Sequence, residues 1–162
     1  MFKSGDTVLY SSEGVCRIKE ITIKNFGDTS IEYYVLEPVF NNRSTFFVPS
    51  KNEKLTSRMH TLLKYDELTE IIKNSADNTW IENDAQRKEI FKSILSEGEI
   101  SAIISMFKTI MNHKIDIENS GKKLHKPDES AYKEAQKIIY EQFAMYVDIS
   151  KDDVPAIILT QK

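Results

Sequence analysis

The chain is expected to be an α+β protein, a small N-terminal antiparallel β-barrel followed by an all-α domain of about five helices. Three observations predict this. Residues 5–49 fall into short runs of β-branched and aromatic residues separated by polar and glycine turns. Beyond Val48-Pro49 the apolar residues recur instead at spacings of three and four. At 162 residues the chain holds one medium domain or two small ones, and the change of periodicity near residue 50 selects two, read as 1–52 and 53–162.

Residues 6–10 and 15–23 read as the first two strands, joined by Ser11-Ser12-Glu13-Gly14. In the second, Cys16 and Ile18 share one parity and Ile21 and Ile23 the other. A regular strand would put these pairs on opposite faces, so a β-bulge is expected near Lys19-Glu20. Asn25-Phe26-Gly27-Asp28 makes the next turn, with a glycine able to take positive φ, and residues 31–39 form the longest strand. Its centre, Tyr33-Tyr34-Val35-Leu36, is apolar on both parities, as in a strand covered on both faces. Asn41-Asn42-Arg43 turns the chain into a last strand over 45–48. There Phe46 and Val48 share a face and Phe47 points the other way; it either packs on the first helix or marks a contact surface. Four or five short strands with this spacing curl into a small barrel.

Residues 50–53 read as a short polar connection. Residues 66–74 carry Leu68, Ile71 and Ile72 on one helical face, with Asp66 and Glu67 in the first turn. After Ser75-Ala76-Asp77-Asn78-Thr79, Trp80 opens a helix over 82–96 marked by Ala85, Ile90, Phe91, Ile94 and Leu95 and stopped by Gly98. Residues 99–112 follow with a stripe of Ile100, Ile103, Ile104, Phe107, Ile110 and Met111. Pro127 sits as a first-turn proline, with Asp128 and Glu129 complementing the positive helix end. That helix carries Ala131, Ala135, Ile138, Ile139, Gln142, Phe143 and Tyr146, its alanines permitting close packing. Ser150-Lys151-Asp152-Asp153 caps a last short helix through Val154, Ile157, Ile158 and Leu159.

With 40% hydrophobic and 29% charged residues, the composition is that of a globular protein. No apolar run reaches the roughly 20 residues that cross a bilayer, and Met1-Phe2-Lys3-Ser4-Gly5 lacks the apolar core of a signal peptide. The chain is therefore expected in the cytoplasm, with no membrane partner. Cys16 is the single cysteine, so no intramolecular disulfide can form, and between Val15 and Ile18 it reads as a small buried hydrophobe. A net charge of -3 and a pI near 5.7 exclude a protein whose main affinity is unspecific attraction to nucleic acid. Any DNA contact must be a local basic patch, or one carried to its target by a second anchor.

The search for chemistry returns little. His60, His113 and His125 have no other ligand type at metal-site spacing, and one cysteine makes a zinc site a poor fit. The five glycines are scattered, which leaves no phosphate-cradling loop, and no serine or cysteine sits in a nucleophile elbow. No catalytic residue, metal or cofactor is expected, and no enzyme. Trp80 stands out, with Arg87, Lys88 and Lys92 a turn or two beyond it. It reads either as a core anchor between helices or as an apolar wedge for the minor groove, with basic side chains on the adjoining phosphates. Lys122, Lys123, His125 and Lys126 form a second basic cluster, a solvated loop or a further phosphate patch.

In the N-terminal half, Gly5-Asp6, Val8-Leu9-Tyr10, Gly14, Ile18, Tyr33-Tyr34-Val35-Leu36 and Val48-Pro49 occur in an order that resembles the polymerase-interacting domain of the CarD/CdnL family of bacterial transcription regulators. In the C-terminal half the same family is resembled by Trp80, Leu95-Ser96-Glu97-Gly98-Glu99 and Tyr140-Glu141-Gln142-Phe143-Ala144. The resemblance implies a Tudor-like barrel that binds the RNA polymerase β subunit and a helical domain that touches promoter DNA at the upstream bubble edge. It implies Trp80 as the wedge with Arg87, Lys88 and Lys92 on DNA, and Lys24, Arg43 and Phe47 on the polymerase. DNA contact is then local and weak without polymerase. The sequence departs from the family where Ile81, Glu82, Asn83 and Asp84 replace a pair of arginines after the tryptophan, and where Phe47 replaces a basic residue before Val-Pro. The alternative is an adaptor that binds polymerase without direct DNA contact.

Overall fold

Thr7–Tyr10 (β1) pairs antiparallel with Gly14–Phe26 (β2) in the computed structural model, which describes residues 1–41 and 43–161. β2 continues antiparallel along Thr29–Pro38 (β3), turning at Gly27, whose φ of 60° lies where glycine is favoured. The parity change in β2 is resolved as the sequence requires. Ile18 faces Leu36 and Glu20 faces Val35, so Lys19 is the extra residue of a bulge, and Ile18 and Ile21 end on one face. The carbonyl that the bulge frees is satisfied, since the Ser4 hydroxyl donates to Lys19 O at 2.8 Å. Phe46–Pro49 (β4) pairs with the far edge of β3. Of the turn expected at Asn41-Asn42-Arg43, Asn42 lies outside the described residues.

After β4 the chain does not leave the sheet at residue 52. Asn52 caps a single helical turn, Glu53–Thr56 (α1), by accepting from Leu55 N, and Met59–Thr61 (β5) then pairs with β1. The strand order is β4-β3-β2-β1-β5. Side chains from all five strands meet in one core of Val8, Cys16, Ile18, Tyr34, Leu36, Val48 and Met59. The Tyr10 and Phe46 rings lie 6.5 Å apart although β1 and β4 are separated by two strands. At about 4.8 Å per strand a flat sheet would hold them roughly 14 Å apart, so the sheet is strongly curved. Each fully buried aliphatic side chain here contributes roughly 1.5–3 kcal/mol. Tyr34, Val35 and Leu36 are all buried, as their two-sided apolar pattern predicts. One compact unit is Met1–Leu62 and the other Leu63–Lys162. The division falls after β5 rather than at 52/53 because β5 supplies an edge strand and Met59 to this core.

The second unit holds Tyr65–Asn74 (α2), Asp84–Glu97 (α3), Ile100–Asn119 (α4), Lys126–Ala144 (α5) and Val154–Thr160 (α6). Gly98 ends α3 in the left-handed conformation expected of it. α4 runs seven residues past its predicted end at 112, and its apolar stripe is buried throughout. Phe107 and Phe143 are among the largest fully buried side chains, and Phe107 stacks on Tyr132 of α5. α3 departs from expectation. Its buried face is Arg87, Phe91 and Leu95, while Ala85 is exposed and Ile90 is 36% exposed. Tyr146 lies beyond α5, exposed, its hydroxyl donating to Leu63 O. Among the described residues no helix is long and apolar enough to cross a membrane.

Candidate nucleic-acid interface and docking edge

Trp80 does not start a helix, although its place before an amphipathic run predicts one. It sits in the extended segment between α2 and α3, which Asn83 closes by capping α3 through Gln86 N. That segment is fastened along one face of α4. The Lys108 ammonium donates to Ile72 O and Ser75 O, Ser105 Oγ to Ala76 O at 2.7 Å, and Asn112 Nδ2 to Asp77 Oδ2. Thr109 Oγ1 accepts from Asn78 N at 2.9 Å. Ser105, Lys108, Thr109 and Asn112 are spaced by three, one and three, so they form a polar stripe beside the apolar one. The next residue, His113, stacks on Trp80 with ring centroids 3.6 Å apart and planes 6° from parallel.

The indole is partly buried: it is neither sealed in a core nor free-standing. Phe91 meets it edge-on and the Arg87 guanidinium carbon lies 4.4 Å from its ring centroid. Arg87 itself is 3% exposed. Its Nε and Nη2 donate to the two oxygens of Asp128 at 2.8 and 2.7 Å, Nη2 also to Asp84 Oδ1 at 2.7 Å, and Nη1 to Ile81 O at 2.6 Å. Asp128 is buried too. The hydrogen bonds that Asp128 accepts hold the guanidinium charged and push its pKa up, and Arg87 in turn holds the Asp84 carboxyl below its ordinary value.

This geometry argues against Arg87 as a phosphate contact. A guanidinium that is 3% exposed and has four of its five donors committed is poorly placed to reach a phosphate, and one cation against two carboxylates leaves this cluster at a net charge of -1. Asp84, an acidic residue in the stretch where the family has basic ones, is not a free negative charge, because it is paired with Arg87 and approached by His125 Nδ1 at 3.4 Å. Lys88 and Lys92 are exposed one turn apart on α3. The second basic cluster shares a cleft with the indole. A cleft of about 160 Å³ is lined by Trp80, His113, Lys122, Lys123 and His125, with Glu82 and Asp84 on its acidic side.

On the first unit, Lys24 and Phe47 come together. Lys24 and Tyr33 share a face of β2–β3, and Phe47 lies alongside on β4, opposite Val35. The Lys24 ammonium sits 3.6 Å above the Phe47 ring, which meets Tyr33 edge-on and is 44% exposed. Within its own unit, then, Phe47 is exposed rather than packed away. Arg43 is exposed in the loop before β4 and is not part of this pair.

Two features go beyond what the sequence conveys. The first-turn position of Asp128 suffices to explain it by the helix dipole, and nothing local marks a partner on another helix. His113 reads in the sequence only as a metal ligand without companions, and among the described residues no group of three or more His, Cys, Asp or Glu converges; its role as a stacking partner has no local signal. The polar stripe of α4, by contrast, is legible in its spacing. Against known proteins, residues 2–61 match the family model described as the CarD-like/TRCF RID domain. No curated protein matches the chain significantly.

Proposed function

We propose, from the match of residues 2–61 to the CarD-like/TRCF RID domain, that this chain is a non-enzymatic transcription regulator which docks on the β subunit of RNA polymerase and prolongs or shortens the life of the open promoter complex. The RID match carries the docking half. The Lys24–Phe47 pair, exposed and rigidified by Tyr33, is the contact edge favoured within that unit. The DNA half rests on Trp80, which lines the same cleft as Lys122 and Lys123. Since Arg87 and His113 already lie against its ring, the indole leans on the edge of a melted duplex rather than sliding whole between base pairs. A net negative chain makes this contact weak in free solution, and tethering to polymerase supplies the effective concentration it lacks.

Trp80→Ala is expected to leave polymerase retention intact and to change open-complex lifetime on a fork-junction promoter; an unchanged lifetime refutes the role of the indole. The rival reading, an adaptor that binds polymerase without touching DNA, is favoured by the net charge of -1 in the Arg87 cluster and by Glu82 at the cleft. Titration against the same promoter with and without polymerase separates the two. The adaptor reading predicts no added DNA protection in either case.

A further inference from the structure

We propose that Arg87 is a positioning residue for Trp80: its guanidinium, aimed by Asp128, fixes the plane and direction of the indole. The consequence for transcription rests on the reading above; the fixing itself does not. A tryptophan in an extended segment would ordinarily turn about its two side-chain bonds, and each such freedom must be frozen when it meets a partner. Here that freezing is done in advance. Arg87 has five donors, and four hydrogen bonds run from them to Asp128, Asp84 and the Ile81 carbonyl. The group is thereby tied to α3, which carries it, to the first turn of α5, which supplies Asp128, and to the backbone next to Trp80. Its distance of 4.4 Å from the ring centroid transmits that placement to the indole.

His113 supports the ring from α4, so side chains on three helices determine how one partly exposed residue points. Closing a core does not require this. Phe91, beneath the indole and 6% exposed, already fills that place. Pre-organisation of a partly exposed aromatic is what a surface needs when it must meet another molecule without a further loss of freedom. A bidentate fork is also something lysine cannot copy, because an ammonium carries no plane to impose.

Trp80 is the single tryptophan, so emission excited at the red edge of the indole band, where the seven tyrosines do not absorb, reports on this residue alone. The test compares full-length Arg87→Lys, Arg87→Gln and His113→Ala with the parent and with Ile158→Ala, a core change outside the network that controls for lost stability. Arg87→Lys keeps a charge against Asp128 and therefore folds better than Arg87→Gln. It is still expected to shift the emission, raise quenching by acrylamide and lower the fluorescence anisotropy, while Ile158→Ala does none of these. With polymerase present, its open-complex lifetime should move toward that of Trp80→Ala. Emission, quenching and anisotropy like the parent's in a folded Arg87→Lys overturn the positioning role. So does a loosened indole with a parental lifetime, if Trp80→Ala does alter the lifetime. If Trp80→Ala alters nothing, the DNA reading fails, and a loosened indole in Arg87→Lys still supports the clamp.

Discussion

Replacing Asp128 with alanine should be among the most costly single changes in the helical unit. Both side chains of the Arg87–Asp128 pair are 4% exposed, so the substitution leaves a guanidinium in the interior with two donors unmet. Breaking a buried pair from one side costs about 3–5 kcal/mol. Arg87 keeps Ile81 O and Asp84, but Asp84 is 64% exposed and a pair with so wet a partner is largely screened by solvent and compensates only in small part. The expected loss is therefore near the lower end, about 3 kcal/mol. With a urea slope of about 1.5 kcal/mol per M, the midpoint should fall by about 2 M. Urea titration followed by Trp80 emission and by far-UV circular dichroism measures it, since the indole reports on the unit that is perturbed. Arg87→Met combined with Asp128→Leu should recover most of the loss, because two apolar side chains leave no stranded charge. A loss under about 1 kcal/mol for Asp128→Ala would mean that water reaches the guanidinium, and would refute the reasoning.

Lys122→Glu and Lys123→Glu should weaken promoter binding by the polymerase-bound protein and flatten its salt dependence, by about 0.9 in the log–log slope for each phosphate that is no longer neutralised; an unchanged slope places the basic contact elsewhere. Phe47→Ala removes the ring under Lys24 and should cost polymerase affinity about tenfold, or roughly 1.4 kcal/mol, with the fold unaltered by circular dichroism. Equal affinity would remove the Lys24–Phe47 edge from the docking surface. Asp84 bears on acid stability. Because the Arg87 hydrogen bond depresses its folded pKa, ionised Asp84 favours the folded state. Its contribution is whole above the ordinary value of 3.8 and is lost as pH falls through the lowered one. Asp84→Asn should thus destabilise at neutral pH and flatten the acid limb below about pH 4, and a limb as steep as the parent's would refute the pairing.

Legible without coordinates is whatever depends on neighbours a few residues apart. The bulge at Lys19 follows from Ile18 and Ile21 needing one face, the role of Gly98 from the helix it stops, and the stripe of α4 from its spacing of threes and fours. β5 is illegible for the same reason: three residues with one apolar side chain, Met59, carry no period, and the strand exists because the exposed edge of β1 accepts it. The shift of the domain end from 52 to 62 follows directly.

The local order of residues is thus enough for an α+β chain with a curved sheet ahead of a helical unit, and for singling out Trp80. It assigns Arg87 to solvent and Asp128 to a helix end, since a charge is cheapest in water or against a dipole. Only the tertiary structure brings the two together across α3 and α5, 41 residues apart, where each makes the other's burial tolerable. Pairing energy between distant charges depends on a distance that no pattern along the chain encodes, and that distance decides here which cations are left for a partner and which one aims the indole.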